Sequence, residues 1–600
     1  MLYTEAIATA LVLLAVLVVL IRKNRAPDFA IWTGLAILVV LPVPEAGGLS
    51  IGVIDAKGAF AGIANESVIT IGALYVVAAG IRETGVLNWL ALKLLGRPRT
   101  IATAQHRLVW PAAALSGFFN NTPLVAMLMP VADDWATRQR FSPSLLLMPL
   151  SFASILGGAC TLIGTSTNLI VNGWLIEEMS HPGLGMFEMT PVALPVAVVG
   201  MVFMLLTSRW LLPVRRPVFG DVDDAREYTV EMLVDDSGEL AGKTIEQAGL
   251  RGLPGLFLIE IDRNSEVLPA VSGSIRLHGG DRLVFAGVVD SVVDLQRIPG
   301  LKPTSDQVFK LGTDRHNRVL VEAVVSGTCP LVGRTIREGR FRTRYNAAVV
   351  AVGRNGERIR RKIGDIRLEA GDTLLLEARP NFLEQQRNSR DFYLVSRLDK
   401  TTSFNTARAP VASAILIGLV VVVASGALSM VQAALAAAAL TVATQCTSAS
   451  VARRAVDWEV LLVIGGALGL GHAMTESGLA EALGLAVRTA FGSDPSVMLG
   501  AIFVLSSALA SIVTAKAGAV LMLPIAVAAA AELGVSYMPF AIAVMLASSF
   551  ALATPIGYPT NLMVMGPGGY RYTDYLRLGL PLTVLVAALS IVLIPVVWRF

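Results

Sequence analysis

Short polar stretches interrupt apolar runs at two places in this 600-residue chain, and the whole arrangement occurs twice. In the first copy, Asn120–Pro123 is followed further along by Gly164–Asn168. In the second copy, at an offset of 394 residues, Thr514–Ala517 is followed by Thr554–Asn561. Repeated apolar segments interrupted by Gly and Pro are typical of the binding sites of secondary transporters.

Composition places the chain among polytopic membrane proteins. It is 54% hydrophobic and 16% charged, with a mean hydropathy of +0.64. The net charge of +4 comes from short loops, without the basic face that nucleic-acid binding needs. The three cysteines are far apart in the sequence, so they predict neither a metal site nor a disulfide framework. No nucleotide-binding loop or nucleophile constellation is present, and we therefore expect no enzymatic activity.

Hydropathy predicts five crossings in each half of the chain. The first apolar run has no basic residues before it, so we expect a first span with its N-terminus outside rather than a signal peptide. The predicted spans are 6–21, 28–44, 67–83, a broken span at 143–178 and 191–212, then 408–425, 429–450, 457–474, a broken span at 539–565 and 579–597.

Basic residues in short loops mark the cytoplasmic side. In the first half they are Arg22, Lys23, Arg25, Lys93, Arg97, Arg99, His106, Arg107, Arg138, Arg140, Arg215 and Arg216. All of these basic residues lie on the cytoplasmic side only if the apolar stretch 108–132 enters the membrane from the cytoplasm and returns to it. This predicts a re-entrant hairpin that turns near Asn120–Pro123. A second hairpin is predicted at 497–531, turning around Thr514–Lys516, with Arg453, Arg454, Arg571 and Arg577 inside. Five crossings is an odd number, so the halves form an inverted-topology repeat.

Residues 220–400 differ from the rest because their charge is dense and their apolar runs are short. Leu240–Ile245 matches Leu331–Ile336, so this block also repeats. Alternation predicts strands at Leu256–Ile261 and Ala347–Val352, and the pairs Gly280-Asp281 and Gly371-Asp372 are interpreted as hairpin turns. We expect two small cytoplasmic α/β domains. The predicted divisions are 1–216, 217–300, 301–400 and 401–600, with linkers at Arg216-Pro217 and Lys400–Asn405.

The two membrane halves resemble the divalent-anion:sodium symporter family of sodium/sulfate and sodium/dicarboxylate transporters, within the ion transporter superfamily. The family pattern has a Ser-Asn-Thr triplet in each hairpin and a Thr/Gly/Asn loop in each broken helix. Here the first triplet is Asn120-Asn121-Thr122 and the first loop is Gly164–Asn168. The cytoplasmic modules resemble TrkA C-terminal (RCK-C) domains.

The resemblance implies two sodium sites with the substrate anion between them, a homodimer, and no cofactor beyond sodium as coupling ion. Carbonyls freed at helix breaks, together with Asn and Thr oxygens, suit a hard cation. The implied sodium ligands are Asn121, Gly164, Thr167 and Asn168 at the first site, and Thr514, Gly557 and Asn561 at the second. The implied substrate-binding residues are Asn120, Asn121, Thr122, Thr165, Lys516 and Thr560.

The second triplet departs from the family pattern, since it is Thr514-Ala515-Lys516. Ala515 removes an amide ligand, and Lys516 places an amine where a threonine is expected. Ionisable residues at membrane depth mark functional sites by default, so we hypothesise that the Lys516 ammonium replaces the second sodium ion. The alternative is a lysine that extends to the outer interface. Likewise, the Asn and Thr residues could cap helices rather than bind ions.

These observations predict a plasma-membrane secondary transporter of a small anion, sulfate or a dicarboxylate, coupled to sodium or protons by alternating access. One alternative is a cation/proton antiporter, which would need acidic residues near the helix breaks. Glu83 and Glu476 lie at span ends instead, which argues against this alternative. The other is a gated ion channel, which would need a continuous pore. The cytoplasmic modules are expected to respond to an unknown small ligand or to act as an assembly scaffold.

Overall fold

The computed structural model describes residues 2–21, 27–45, 48–86, 100–139, 141–215, 229–303 and 319–397 with short gaps, and 406–600. Its contacts define two compact units. One comprises Met1–Val214, Ser403–Val564 and Arg571–Phe600, and the other comprises Arg215–Thr402 and Met565–Tyr570. Several predicted features lie outside the described residues: Arg22, Lys23, Arg25, Lys93, Arg97, Arg99, Arg140, Arg216 and the linkers Arg216-Pro217 and Lys400–Asn405.

The first half of the larger unit contains nine described α-helices and one small β-hairpin. They are α1 Leu2–Ile21, α2 Pro27–Val40, β1 Pro42–Glu45, β2 Gly48–Ile51, α3 Ala56–Ala61, α4 Glu66–Thr84, α5 Ile101–Ser116, α6 Asn121–Arg138, α7 Leu147–Gly158, α8 Ser166–Met179 and α9 Thr190–Leu211. Local signals set the ends of α4. The Asn65 side chain accepts a hydrogen bond from the Ser67 N–H, and Gly85 ends the helix in the left-handed conformation.

The second half of the larger unit contains ten described α-helices. They are α11 Ala409–Ala424, α12 Met430–Ala443, α13 Ala449–Ala455, α14 Trp458–Glu476, α15 Leu479–Phe491, α16 Pro495–Ile512, α17 Ala515–Leu533, α18 Met538–Ser549, α19 Pro559–Met565 and α20 Tyr572–Val597. The predicted span 429–450 extends too far at its C-terminal end. Helix α12 ends at Ala443, and Ser448 caps a separate short helix, α13. Helices α3, α13 and α15 were not predicted from hydropathy.

Several described segments are long and apolar enough to cross a membrane, in agreement with the predicted polytopic membrane protein. They are Ala56–Thr84, Thr190–Leu211, Trp458–Glu476, Pro495–Ile512, Ala515–Leu533 and Tyr572–Val597.

The two halves interlock reciprocally in the larger unit. Helix α4 packs on α12 and α13, while α14 packs on α2 and α3. Glycines allow this close approach, since a Cβ on Gly62 would lie 2.3 Å from the Gly465 carbonyl oxygen. We call α1–α4 with α11–α14 the scaffold bundle. Helices α5–α9 and α16–α20 include the extensively packed pairs α5 with α7, α9 with α20 and α16 with α18, and we call them the core bundle.

The smaller unit contains two antiparallel five-stranded sheets. The first has the order β5-β4-β6-β3-β7, from β3 Thr229–Val234, β4 Leu256–Arg263, β5 Glu266–Pro269, β6 Arg282–Gly287 and β7 Leu301–Pro303. The second has the order β10-β9-β11-β8-β12, from β8 Val319–Val325, β9 Ala347–Arg354, β10 Glu357–Arg358, β11 Thr373–Ala378 and β12 Phe392–Arg397. A short helix, α10 Phe341–Tyr345, precedes β9. The two predicted strands therefore form.

The two Gly-Asp pairs do not form hairpin turns, so that interpretation was wrong. Each turn leads into a central strand, β6 or β11, whose sheet neighbours are distant in sequence. The aspartates instead hold buried ion pairs at equivalent positions: Arg263 binds Asp281, and Arg354 binds Asp372 through two nitrogens at 2.7 and 2.8 Å. These hydrogen bonds raise the pKa of Arg354 above its ordinary value.

Replacing Arg354 by Ala is expected to destabilise the second sheet by about 3–5 kcal/mol, because Asp372 is 1% exposed and would keep a buried, unpaired charge. Limited proteolysis of the full chain measures this as faster cleavage within 319–397. The matched variant Arg263→Ala should instead expose the first sheet. Equal cleavage of Arg354→Ala and the unmodified chain would contradict the prediction.

Candidate functional site

Two helix breaks in the first half face each other. The first hairpin turns between Ser116 at the end of α5 and Asn121 at the start of α6, and the first break is the loop 159–165 between α7 and α8. Thr161 joins them, because its hydroxyl donates to the Gly117 carbonyl oxygen and accepts the Gly164 N–H at 3.2 Å. The predicted hairpin turn and broken span both form at these positions.

The second half repeats the arrangement. Its hairpin turns between α16 and α17, and the second break is the loop 550–558 between α18 and α19. The Thr554 hydroxyl donates to the Ser511 carbonyl oxygen at 2.7 Å and accepts the Gly557 N–H at 3.1 Å. The Thr161 and Thr554 links are therefore equivalent, and they hold each hairpin tip against its broken helix.

Asn168 and Asn561 stabilise the broken ends of the helices. The Asn168 amide donates to the Thr161 carbonyl at 2.8 Å, and the Asn561 amide donates to the Thr554 carbonyl at 3.1 Å. Their oxygens accept hydrogen bonds across the halves, from Ser549 at 3.0 Å and Ser151 at 2.7 Å, respectively. In this structure both predicted sodium ligands are thus bound to protein groups.

Asn121 lies at the centre of the first site and is fully buried. One atom of its amide lies 2.6 Å from the Ser116 hydroxyl, 2.9 Å from the Ser154 carbonyl and 3.3 Å from the Gly164 carbonyl. With the NH₂ group at that position, its two N–H groups face these three oxygens, all of which can accept. With the oxygen there instead, it faces two carbonyl oxygens and one hydroxyl, an arrangement that a cation satisfies.

Glycine makes room for this amide. A Cβ on Gly158 would lie 2.2 Å from Asn121 Oδ1, and one on Gly164 would lie 2.3 Å from the Gly158 carbonyl. Thr167 lies in the first turn of α8 and is 1% exposed, and its hydroxyl lies close to the hydroxyl of Tyr558. The cluster therefore offers oxygen ligands in a space closed by backbone.

Other predicted residues of the first half lie at a more open position. Asn120 and Thr122 are partly exposed at the hairpin tip. A small cavity lies between this tip, the start of α8 and helix α4, and its lining includes Asn120, Ser166 and Tyr75. This cavity is on the boundary between the core bundle and the scaffold bundle.

The second site lacks the equivalent oxygen cluster. The Gly557 carbonyl accepts the Ala515 N–H at 3.1 Å, and the Thr514 hydroxyl accepts the Ala517 N–H as a helix cap. Thr560 is fully buried and accepts the Ser151 hydroxyl, which places it away from the accessible surface. The three predicted site residues Thr514, Gly557 and Thr560 are therefore all hydrogen-bonded to other protein groups.

Lys516 lies in the first turn of α17 and is partly exposed, so it is at the hairpin tip. The nearby charges acting on it are the carboxylates of Asp457 and Glu459, at the start of α14. Lys516 belongs to the core bundle, whereas these acids belong to the scaffold bundle.

Tyr558 is a residue of this site that sequence reasoning missed. Its hydroxyl comes from the second break, lies 3.0 Å from the Asn121 amide and hydrogen-bonds to Thr165 of the first break. Thr165 is fully buried by this contact. The broken helices align at an offset of 393 residues, which sets Tyr558 opposite Thr165, and this was the available signal.

Interlocked halves with helices broken at buried polar sites define a polytopic membrane transporter. Comparison with protein families makes this specific: the citrate transporter family model matches residues 1–514 and 485–600. The chain belongs to the citrate transporter family. It is a transporter and not an enzyme, as predicted.

Two curated relatives and one solved structure are similar to this chain over most of its length. A Chlamydomonas reinhardtii protein described as a sulfur deprivation response regulator is 38% identical over 554 residues, covering 90% of this chain and 94% of that protein. Sodium/sulfate cotransporter 2 of the same organism is 26% identical over 736 residues, covering 88% and 83%. Together with the family match, these relatives support the predicted resemblance to divalent-anion:sodium symporters. The solved YdaH transporter of Alcanivorax borkumensis aligns over 97% of this chain and 98% of its own, with a TM-score of 0.43 and 13% identity.

Proposed function

We propose that this chain is a sodium-coupled symporter of sulfate, working by alternating access. The observation that carries the proposal is the oxygen cluster at the first hairpin, where Asn121 meets Ser116, Ser154 and Gly164. The names of the sodium/sulfate cotransporter relatives support the choice of ion and anion.

The first site is the coupling-ion site in this proposal. Sodium, as the co-transported ion, would bind the Asn121 oxygen and the carbonyls of Ser154 and Gly164. Asn168 has the separate role of holding the broken helix. Its amide satisfies the carbonyls that the break frees.

The second site provides charge without a second cation. Ala515 has no side-chain oxygen, and its N–H occupies the Gly557 carbonyl that a cation would need. The Lys516 ammonium supplies a positive charge at the same hairpin tip. This is the function that the departure from the Ser-Asn-Thr triplet predicts.

The anion would lie between the two hairpin tips. The N-termini of α6, α8 and α17, each longer than ten residues, carry partial positive charge from the helix dipole. Lys516, Asn120 and Thr122 are partly exposed there and can contact the anion. A bound cation offsets the desolvation of the anion, so the two bind cooperatively.

Alternating access in this proposal is a movement of the core bundle relative to the scaffold bundle. The basic loops and the odd number of spans support an inverted repeat, in which the first hairpin opens to the cytoplasm and the second to the outside. The core bundle, which carries both hairpins, would then move against the scaffold bundle. Dimerisation through the scaffold stays a prediction.

The two-sheet unit would be a pair of cytoplasmic regulatory domains of the RCK-C type. The equivalent Arg263–Asp281 and Arg354–Asp372 pairs support an internal duplication. Regulation by a small ligand and the cytoplasmic, inner-membrane location are parts of the same proposal.

The test is uptake of radiolabelled sulfate into proteoliposomes, with succinate and citrate in parallel. Sodium and pH gradients are imposed one at a time. We expect sulfate accumulation driven by an inward sodium gradient. Accumulation of succinate or citrate instead of sulfate would show that the substrate is a carboxylate. Accumulation driven by a pH gradient would show that the coupling ion is the proton. Downhill cation flux without anion uptake would contradict the symporter.

A further inference from the structure

Tyr558 joins the two halves of the chain inside the core bundle. It follows Gly557 in the second break, and its side chain crosses to the first site, where it is 5% exposed. There the hydroxyl lies 3.0 Å from the Asn121 amide and is also bonded to the Thr165 hydroxyl.

The Asn121 amide fits its site in two orientations, and each would make a different demand on Tyr558. Without a cation, the two N–H groups face the oxygens of Ser116, Ser154 and Gly164, so the amide oxygen faces Tyr558 and needs a donor. With a cation, the oxygen turns to Ser154 and Gly164, so the NH₂ group faces Tyr558 and needs an acceptor.

A phenol hydroxyl meets both demands, because it donates one hydrogen bond and accepts others. Thr165 makes the exchange complete. When Tyr558 donates to Asn121, the Thr165 hydroxyl can donate to Tyr558, and when Tyr558 accepts from Asn121, its proton can turn to Thr165. Beyond the rotation of the amide itself, no heavy atom has to move, and the Tyr558 hydroxyl keeps both Asn121 and Thr165 as partners in either state.

We propose that Tyr558 is a positioning residue for the coupling ion, and that it holds the Asn121 amide in whichever orientation the occupancy of the first site requires. This inference rests on the proposed sodium site and adds a residue from the other half to it. The Ala515 N–H holds the Gly557 carbonyl, so Tyr558 is also fixed beside the helix turn that carries Lys516. The second half thus contributes the Tyr558 side chain, hydrogen-bonded to Asn121 and Thr165 of the first half, in place of a second cation.

The test is Tyr558→Phe, which removes the hydroxyl and keeps the ring. We expect the sodium concentration for half-maximal uptake to rise roughly tenfold, because a buried N–H that loses its acceptor in the sodium-bound state costs more than an amide oxygen that loses its donor in the empty state. The KM for the anion at saturating sodium should stay within about twofold of the unmodified value, since the phenol is not at the anion position. Tyr572→Phe, at a tyrosine that is 43% exposed, is the matched control and should change neither value.

A second readout does not need transport. We expect sodium binding to raise the unfolding temperature of the purified chain, and Tyr558→Phe to shift this dependence to higher sodium, with choline as the control salt. Thr165→Val should give a smaller shift than Tyr558→Phe, and Thr165→Ser should give none, which keeps the test valid if Tyr558→Phe does not fold. Unchanged sodium dependence in folded Tyr558→Phe, or a raised anion KM alone, would overturn the inference. Absence of sodium-driven uptake in the unmodified chain would instead overturn the proposed function.

Discussion

Replacing Lys516 by Met is expected to lower anion uptake at least roughly 30-fold, because one partner of a partly buried charge interaction is removed. Without the ammonium, the anion would leave water with a single sodium ion as its counter-charge. Met keeps the length and apolar stem of the side chain, so packing around the hairpin tip changes little. The measurement is the initial rate of sulfate uptake at concentrations below KM.

Lys516→Arg is the matched control and should retain part of the activity, because it keeps the charge in a different shape. Sodium should still stabilise Lys516→Met against heating, since the first site lies in the other hairpin. Unmodified uptake and sodium dependence in Lys516→Met would show that this lysine only extends toward the membrane surface.

Replacing Gly158 by Ala is expected to weaken sodium activation by roughly tenfold to a hundredfold, the range that overpacking in a close-packed interior produces. The added Cβ would lie 2.2 Å from Asn121 Oδ1 and 3.0 Å from its Cγ. Asn121 is fully buried and therefore has no space into which to withdraw. The readout is the sodium concentration for half-maximal sulfate uptake.

Gly418→Ala is the control for adding a methyl group to an apolar helix, because a Cβ there meets nothing within 4 Å. It should behave as the unmodified chain does. Equal sodium activation in Gly158→Ala would mean that the Asn121 amide does not hold the ion.

Helix breaks were the most predictable part of this fold. Asn120–Pro123 and Gly164–Asn168 stand out because polar and Gly-containing sequence within apolar runs is rarely compatible with an unbroken, lipid-facing span. The short helix α13 and the amphipathic α15 were missed, since hydropathy detects spans and not helices that lie beside them. The Gly-Asp turns were misinterpreted because local turn chemistry does not reveal which strands become neighbours.

The sequence predicted which residues take part in the candidate site, but not which residues they contact. Asn121 and Gly164 do lie together, whereas Thr560 and Asn561 bind Ser151 of the other half. Such partners depend on how the halves interlock, which no local pattern encodes. Tyr558 was missed for the same reason, because its function comes from contacts 437 and 393 residues away.

The most direct test of one coupling cation beside a lysine is the dependence of initial sulfate uptake on sodium concentration in proteoliposomes. Because a Hill coefficient cannot exceed the number of coupled sites, one sodium site in each independently working protomer predicts a hyperbolic curve with a coefficient of about 1. A sigmoidal curve with a coefficient approaching about 2 would require a second sodium site and would contradict the replacement of that ion by Lys516.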